Sequence, residues 1–210
     1  MFKRFIFLFK KKLLWKTFNF FVLYEIYRLF DQLKQYPYVL IKKSPIFPLI
    51  NIGSDFDIFV KDLDKFSNAI SEHYNSKKKF RTTTVEVKQN HIQVDLFYKN
   101  KFLYKFDLYG SMYESNLYNK TFINAVLETK ISESFNFFRF NQIYIPSKEM
   151  DVLIRLFELY QFPHKKHHRS ILMSYKDHDL KEIFNNLNIH AKIDLSSLID
   201  EIYKENNNSK

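Results

Sequence analysis

Only two glycines, Gly53 and Gly110, occur in 210 residues, where an average chain of that length carries about fifteen. Glycine supplies the positive-φ positions of tight loops and lets backbone approach a ligand closely. A P-loop needs two glycines at fixed spacing and a dinucleotide fingerprint needs three. The chain can build neither, and the position of each glycine it does have becomes informative. Cysteine is absent, which excludes a disulfide scaffold, a thiolate zinc site, an iron–sulfur cluster and a cysteine nucleophile. A chain without disulfides fits a reducing compartment.

Charge narrows the partners. Lys and Arg number 33 against 23 Asp and Glu, a formal net charge of +10. Such an excess suits nucleic acid, nucleotide phosphates or an anionic membrane surface. It is concentrated in three stretches: residues 1–16, residues 77–81 (KKKFR) and residues 164–169 (HKKHHR). Residues 1–16 hold six basic residues and no acidic one. Their apolar run Phe5–Phe9 is shorter than the roughly 7–15 residues of a secretory h-region. Lys10, Lys11 and Lys12 interrupt any stretch approaching the about 20 apolar residues of a spanning helix. The segment reads as a basic aromatic helix that lies on a membrane or packs on its own protein.

Periodicity outlines an α+β chain. Apolar residues at three- and four-residue spacing from Phe18 to Leu33 predict a helix over 17–35, ended by Pro37. Tyr38–Ile41 and residues 56–60 read as strands, with Ser44, Pro45 and Pro48 marking a loop between them. Asp62 or Asp64 can cap a helix from Lys65 to Tyr74. Period-two runs predict strands at 80–88, 91–98 and 102–109, with Lys99-Asn100-Lys101 as a turn. A helix is expected at 119–128 and a short strand at 143–145. Ser147 then opens a helix whose apolar face includes Met150, Leu153, Ile154 and Phe157. Pro163 ends it, and 170–187 and 195–204 read as further helices. The expected organisation is a basic segment over 1–16, a mixed-sheet core flanked by helices over 17–145, a helical part over 146–205 and a disordered tail over 206–210.

The strongest chemical signal is Asn51-Ile52-Gly53-Ser54-Asp55-Phe56-Asp57-Ile58-Phe59-Val60. Aspartates at i and i+2 on a strand share a face, while Phe56 and Ile58 point to the other. Two carboxylates so placed repel unless a cation sits between them, and hard oxygen ligands suit Mg²⁺. D-x-D also occurs at 62/64 and 177/179, where helix capping and a solvated polar face explain it. Only Asp55/Asp57 lies on an apolar strand beside a glycine. A third acid between apolar residues, Asp95 in Val94-Asp95-Leu96 or Asp107 in Phe106-Asp107-Leu108, is costly unless it faces a functional cleft. Either completes a three-carboxylate cradle for two metal ions.

The pattern D-h-D-h on one strand followed by h-D-h on a later one resembles the DNA polymerase β-like nucleotidyltransferase superfamily. The closer resemblance is to small bacterial nucleotidyltransferase-like proteins linked to surface-polysaccharide genes. It rests on Tyr38–Ile41, Asp55–Ile58, Val94–Leu96 and Pro146–Arg169, and spans residues 17–175. It implies a nucleotidyltransferase-like sheet with a C-terminal helical part. It also implies Mg²⁺-dependent (or Mn²⁺-dependent) transfer of a nucleoside monophosphate from an NTP, ATP among them, to a hydroxyl or phosphate acceptor. Asp55, Asp57 and Asp95 would be the catalytic and metal-binding residues of a two-metal mechanism. Lys165, Lys166 or His167 would neutralise the triphosphate. Family members carry Gly-Ser well upstream of D-x-D; here Gly53-Ser54 abuts Asp55, and Lys42, Lys43 or Ser44 occupies the upstream place. The implied location is the cytoplasm, with residues 1–16 able to touch the inner face of the membrane or a nucleic acid.

Other readings of the same residues stand beside this one. A non-catalytic basic module of the same fold would bind nucleotide, nucleic acid or membrane through residues 1–16 and 77–81, with Tyr and Phe available to stack on bases. A D-x-D glycosyltransferase holding a nucleotide-sugar usually places a nucleotide-binding half before its motif, and the position of the motif at residue 55 argues against that alternative. His164 and His168, at i and i+4, have the spacing of a metal pair.

Overall fold

The computed structural model describes residues 20–42, 50–111, 118–134, 142–164, 166–175, 182 and 199–200, with Lys166 and His167 by backbone alone. Helix α1 spans residues 20–33. Strands β1 (Tyr38–Ile41) and β2 (Asp55–Val60) lead into helix α2 (Leu63–Asn75). Strands β3 (Phe80–Lys88), β4 (His91–Tyr98) and β5 (Lys101–Gly110) follow, then helix α3 (Lys120–Glu128). The short strands β6 (Ile131–Glu133) and β7 (Ile143–Ile145) precede helices α4 (Lys148–Gln161) and α5 (Lys166–Leu172). The α+β expectation holds, and the strand positions read from period two are those observed. Strand β6 (Ile-Ser-Glu) is not among them: it holds a single apolar residue, whereas the equally short β7 (Ile-Tyr-Ile) is apolar throughout and ends before Pro146.

The sheet order is β1-β2-β5-β4-β3. β1 runs antiparallel to β2, and β5–β4–β3 form an antiparallel meander. β2 and β5 are parallel, with Asp55 beside Lys105 and Asp57 beside Asp107. This makes the sheet mixed. The hairpin between β4 and β5 turns on Lys99 and Asn100, both at positive φ (47° and 63°), the two-residue turn whose twist matches that of the strands.

The two faces of the sheet carry different cores. On one, α1 and α2 pack over Phe56, Ile58, Val94, Leu96, Phe106 and Leu108. Burial of apolar surface drives this contact, and Phe56 stacks on Phe106 with centroids 5.0 Å apart. Asp62 caps α2 by accepting from Lys65 N at 3.1 Å. Between α1 and α2, Glu25 is buried and pairs with Lys77, which also lies 2.7 Å from His73 Nε2. On the other face, α3, α4 and α5 cover Val39, Ile41 and Phe59 of β1 and β2, with Tyr109 of β5 packed against the edge of the cluster. Ser147 caps α4 by accepting from Met150 N. Val152 to Leu159 of α4 are all buried; a helix buried nearly all round is an inner element of the packing.

Candidate active site

Strand parity assembles the site. The residues of β2 that point away from α1 and α2 are Asp55, Asp57 and Phe59. The parallel register aligns them with Lys105, Asp107 and Tyr109 of β5. β4 extends the same rows with Asp95, Gln93 and His91. Four carboxylates therefore share one face of three adjacent strands, beside the wall that α3 and α4 raise over β2.

Each acid nearest β2 is met by a lysine. Lys105 Nζ lies 3.2 Å from Asp55 Oδ2 and 3.0 Å from Asp107 Oδ2. Lys42, at the end of β1 and at positive φ (54°), places Nζ 3.0 Å from Asp57 Oδ2 and 3.2 Å from Glu158 Oε1. Tyr109 OH donates to Asp57 Oδ1 at 3.3 Å, and Tyr118 OH donates to Glu158 Oε1 at 3.0 Å. His91 Nε2 approaches Asp107 Oδ1 at 3.5 Å, and its ring stacks on Tyr109. Burial pushes the Asp107 carboxyl up, but hydrogen bonds from His91 and Lys105 and the Lys105 charge outweigh it, and the group sits below its ordinary value. Burial alone would lower Lys42; Asp57 and Glu158 together raise it. Lys105 follows the same logic, raised by Asp107 and Asp55 against its own burial.

The third carboxylate beside the D-x-D is Asp107 by register. Asp95 is on the same face but two strands from β2, roughly 10 Å at the usual strand spacing, and it accepts a hydrogen bond from Gln93 Nε2 at 2.8 Å. Gly53 adopts φ 91°, which explains its identity. Its N–H is taken by Leu103 O at 2.6 Å, and Ser54 N donates to Asn51 O. The pair thus forms the turn that launches β2. Lys43, Ser44 and Lys165 lie outside the described residues, as do residues 1–16 and the side chains of Lys166 and His167. His164 is exposed in the turn after α4, whereas His168 is buried with Nε2 4.0 Å from Glu158 Oε2. The two histidines occupy different environments and do not form the pair their spacing suggested.

Lys105, Tyr109 and Glu158 escaped the sequence reading. Lys105 and Tyr109 flank Asp107 at i−2 and i+2, so strand parity alone puts them on its face. Glu158 follows Ile154 by one helical turn, an acid on an apolar stripe. The donor set of Asp55, Asp57 and Asp107 is hard oxygen on neighbouring strands, the chemistry Mg²⁺ takes. As arranged, no three His, Asp or Glu side chains converge to hold an ion among the described residues; lysine ammonium groups stand between them. A separate cleft of about 440 Å³ lies between α1 and α2, on the opposite side of the sheet. Among the described residues no helix is long and apolar enough to cross a membrane. No protein-family model matches the chain, and no curated protein sequence matches it either.

Proposed function

We propose that the chain is an Mg²⁺-dependent nucleotidyltransferase of the polymerase β-like type, working in the cytoplasm on an NTP. The observation that carries this reading is the parallel register of β2 and β5, which sets Asp57 beside Asp107 with Asp55 one step along the same face. Asp55, Asp57 and Asp107 would hold the divalent ion, which supplies charge stabilisation to the attacking and leaving oxygens of an in-line displacement. The acceptor oxygen bonds to the α-phosphorus, the α–β phosphoanhydride bond breaks, and pyrophosphate leaves.

The chain's own groups bind and orient. Lys42 presents an ammonium at the open end of β1, buried enough to act strongly on a phosphate. Its second partner, Glu158, keeps it in place when Asp57 turns to another cation. Asp107, held ionised by His91 and Lys105, offers carboxylate oxygen on the acceptor side, with Asp95 one strand further out. A second reading, a non-catalytic anion-binding module of the same fold, draws on the pairing of Asp55, Asp57 and Asp107 with lysines.

Thermal shift with each NTP, with and without Mg²⁺ or Mn²⁺, tests the proposal on wild type and Asp57→Asn. Ligand that binds only the folded state raises stability by about 2.7 kcal/mol at a hundredfold excess over Kd. The expected result is a metal-dependent rise of a few degrees in wild type that Asp57→Asn abolishes. Equal shifts in the two proteins would overturn the metal–nucleotide site. A shift without release of labelled pyrophosphate across candidate acceptors would favour the second reading.

A further inference from the structure

The face that carries the acids does not stop at them. One row beyond Asp55, Lys105 and Asp95, toward the β4–β5 turn, it presents Arg81 of β3, Phe97 of β4 and Phe102 of β5, aligned by register. Phe97 and Phe102 touch at 5.9 Å between centroids, and the Arg81 guanidinium lies 5.0 Å over Phe97. Phe102 is 41% exposed. It lies three positions from Lys105, about 10 Å along the strand.

Cations frame this aromatic pair. Lys99 N donates to Lys79 O, which draws the β4–β5 turn onto the segment entering β3. Lys78, Lys79, Lys99 and Lys101 are thereby gathered at one end of the sheet, and all four are exposed, as is Arg81. No acidic residue occurs in 77–85 or in 96–106. The positive stretch KKKFR, a linear feature in the sequence, is in three dimensions part of a larger patch continuous with the acidic face.

We infer that this end of the sheet is a binding track for single-stranded nucleic acid, leading one end of the strand to the Asp55/Asp57/Asp107 group. The inference deepens the nucleotidyltransferase reading by naming its acceptor class, and it rests on that reading for the chemistry at the end. Unpaired bases have free faces that stack on Phe97 and Phe102, and their phosphates pair with the surrounding lysines. Arg81 adds a cation that is already stacked. A membrane surface would call for apolar side chains standing beyond the cations; here the rings lie on the sheet, packed against one another and against Arg81. Stacking without base-edge contacts makes the track tolerant of sequence.

The test is fluorescence anisotropy of labelled 12-nucleotide oligo(U) and oligo(dT), with a duplex of equal length, and without NTP or Mg²⁺. Wild type is expected to bind the single strands more tightly than the duplex. Phe97→Ala with Phe102→Ala should weaken binding about tenfold or more. Lys79→Glu with Lys99→Glu should weaken it and flatten its salt dependence. Lys79, Lys99 and Phe102 are exposed and Phe97 is half-buried, and unchanged thermal melting of each variant checks the fold. Absent oligonucleotide binding, or binding unaffected by either double variant, overturns the track. Co-sedimentation with phosphatidylserine vesicles that needs the same lysines, without oligonucleotide binding, replaces it with a membrane surface. Oligonucleotide binding that persists in Asp57→Asn with no nucleotide added by wild type keeps the track and overturns the proposed reaction. Nucleotide addition to a small acceptor without oligonucleotide binding does the reverse.

Discussion

Lys42 Nζ joins two carboxylates, those of Asp57 and Glu158. Its side chain is 16% exposed and that of Glu158 is 6% exposed, so their attraction is screened little by solvent. Removing one partner of a buried pair costs about 3–5 kcal/mol, because the remaining charge stays buried. Lys42→Met is therefore expected to lower unfolding stability by about 3 kcal/mol. Glu158→Gln in the same chain should recover much of the loss, since Tyr118 OH can still donate to the amide oxygen. Chemical denaturation of the two single variants and the double variant measures the coupling; strictly additive losses would show that Lys42 and Glu158 are independent. Glu158 illustrates a limit of pattern reading. An acid on an apolar stripe is visible in the sequence, but its cation comes from residue 42, and only folding brings the two together.

Helix α4 links the wall of the site to the body. Its start is written locally: Ser147 accepts from Met150 N, and Glu149 and Asp151 lie in the first turn, where acids complement the helix dipole. Its packing is not local. Phe157 meets Phe122 at 5.2 Å and Tyr118 at 6.4 Å between centroids. Ser147→Ala should cost about 1 kcal/mol and leave ligand shifts unchanged, since the cap is remote from Lys42. Phe157→Ala should cost about 3–5 kcal/mol and also weaken NTP-dependent stabilisation, because it loosens the turn of helix that holds Glu158. Equal small losses from both variants would show that α4 is not packed as described. The helix was legible from its cap and its period. The nearly complete burial of residues 152–159 was not, because an amphipathic pattern shows one core-facing stripe and α4 has neighbours on several sides.

Across the molecule, two titrating groups on opposite faces of the sheet set the acid response in the same direction. Burial and the Lys77 charge, against the pull of Glu25, lower His73 from 6.5 to about 4. The unfolded chain therefore binds a proton that the folded one refuses between those values, and stability falls as pH drops from about 6.5 toward 4. Asp107 is also lowered, so its contribution is lost below the ordinary carboxylate range as pH falls through its folded value. Urea unfolding at pH 7, 5.5 and 4.5 should show a decline on the order of 2 kcal/mol. His73→Gln should flatten it; an unchanged slope in that variant would remove His73 as the cause. What the sequence alone determined about this protein is local: the α+β alternation, the strands, the caps, the common face of Asp55 and Asp57, and the absence of glycine-rich phosphate loops. These follow from spacing along one stretch of chain, which fixes side-chain direction through backbone geometry. The tertiary structure decided which strand lies beside β2. Val94-Asp95-Leu96 and Phe106-Asp107-Leu108 are equivalent as patterns, and nothing within either states its neighbour. The crossover through α2, β3 and β4 sets β5 parallel to β2, so Asp107 stands beside Asp57 and Lys105 between the acids. The same pairing turns two separate basic stretches into one patch, because strand neighbourhood is a property of the folded sheet and not of any segment of it.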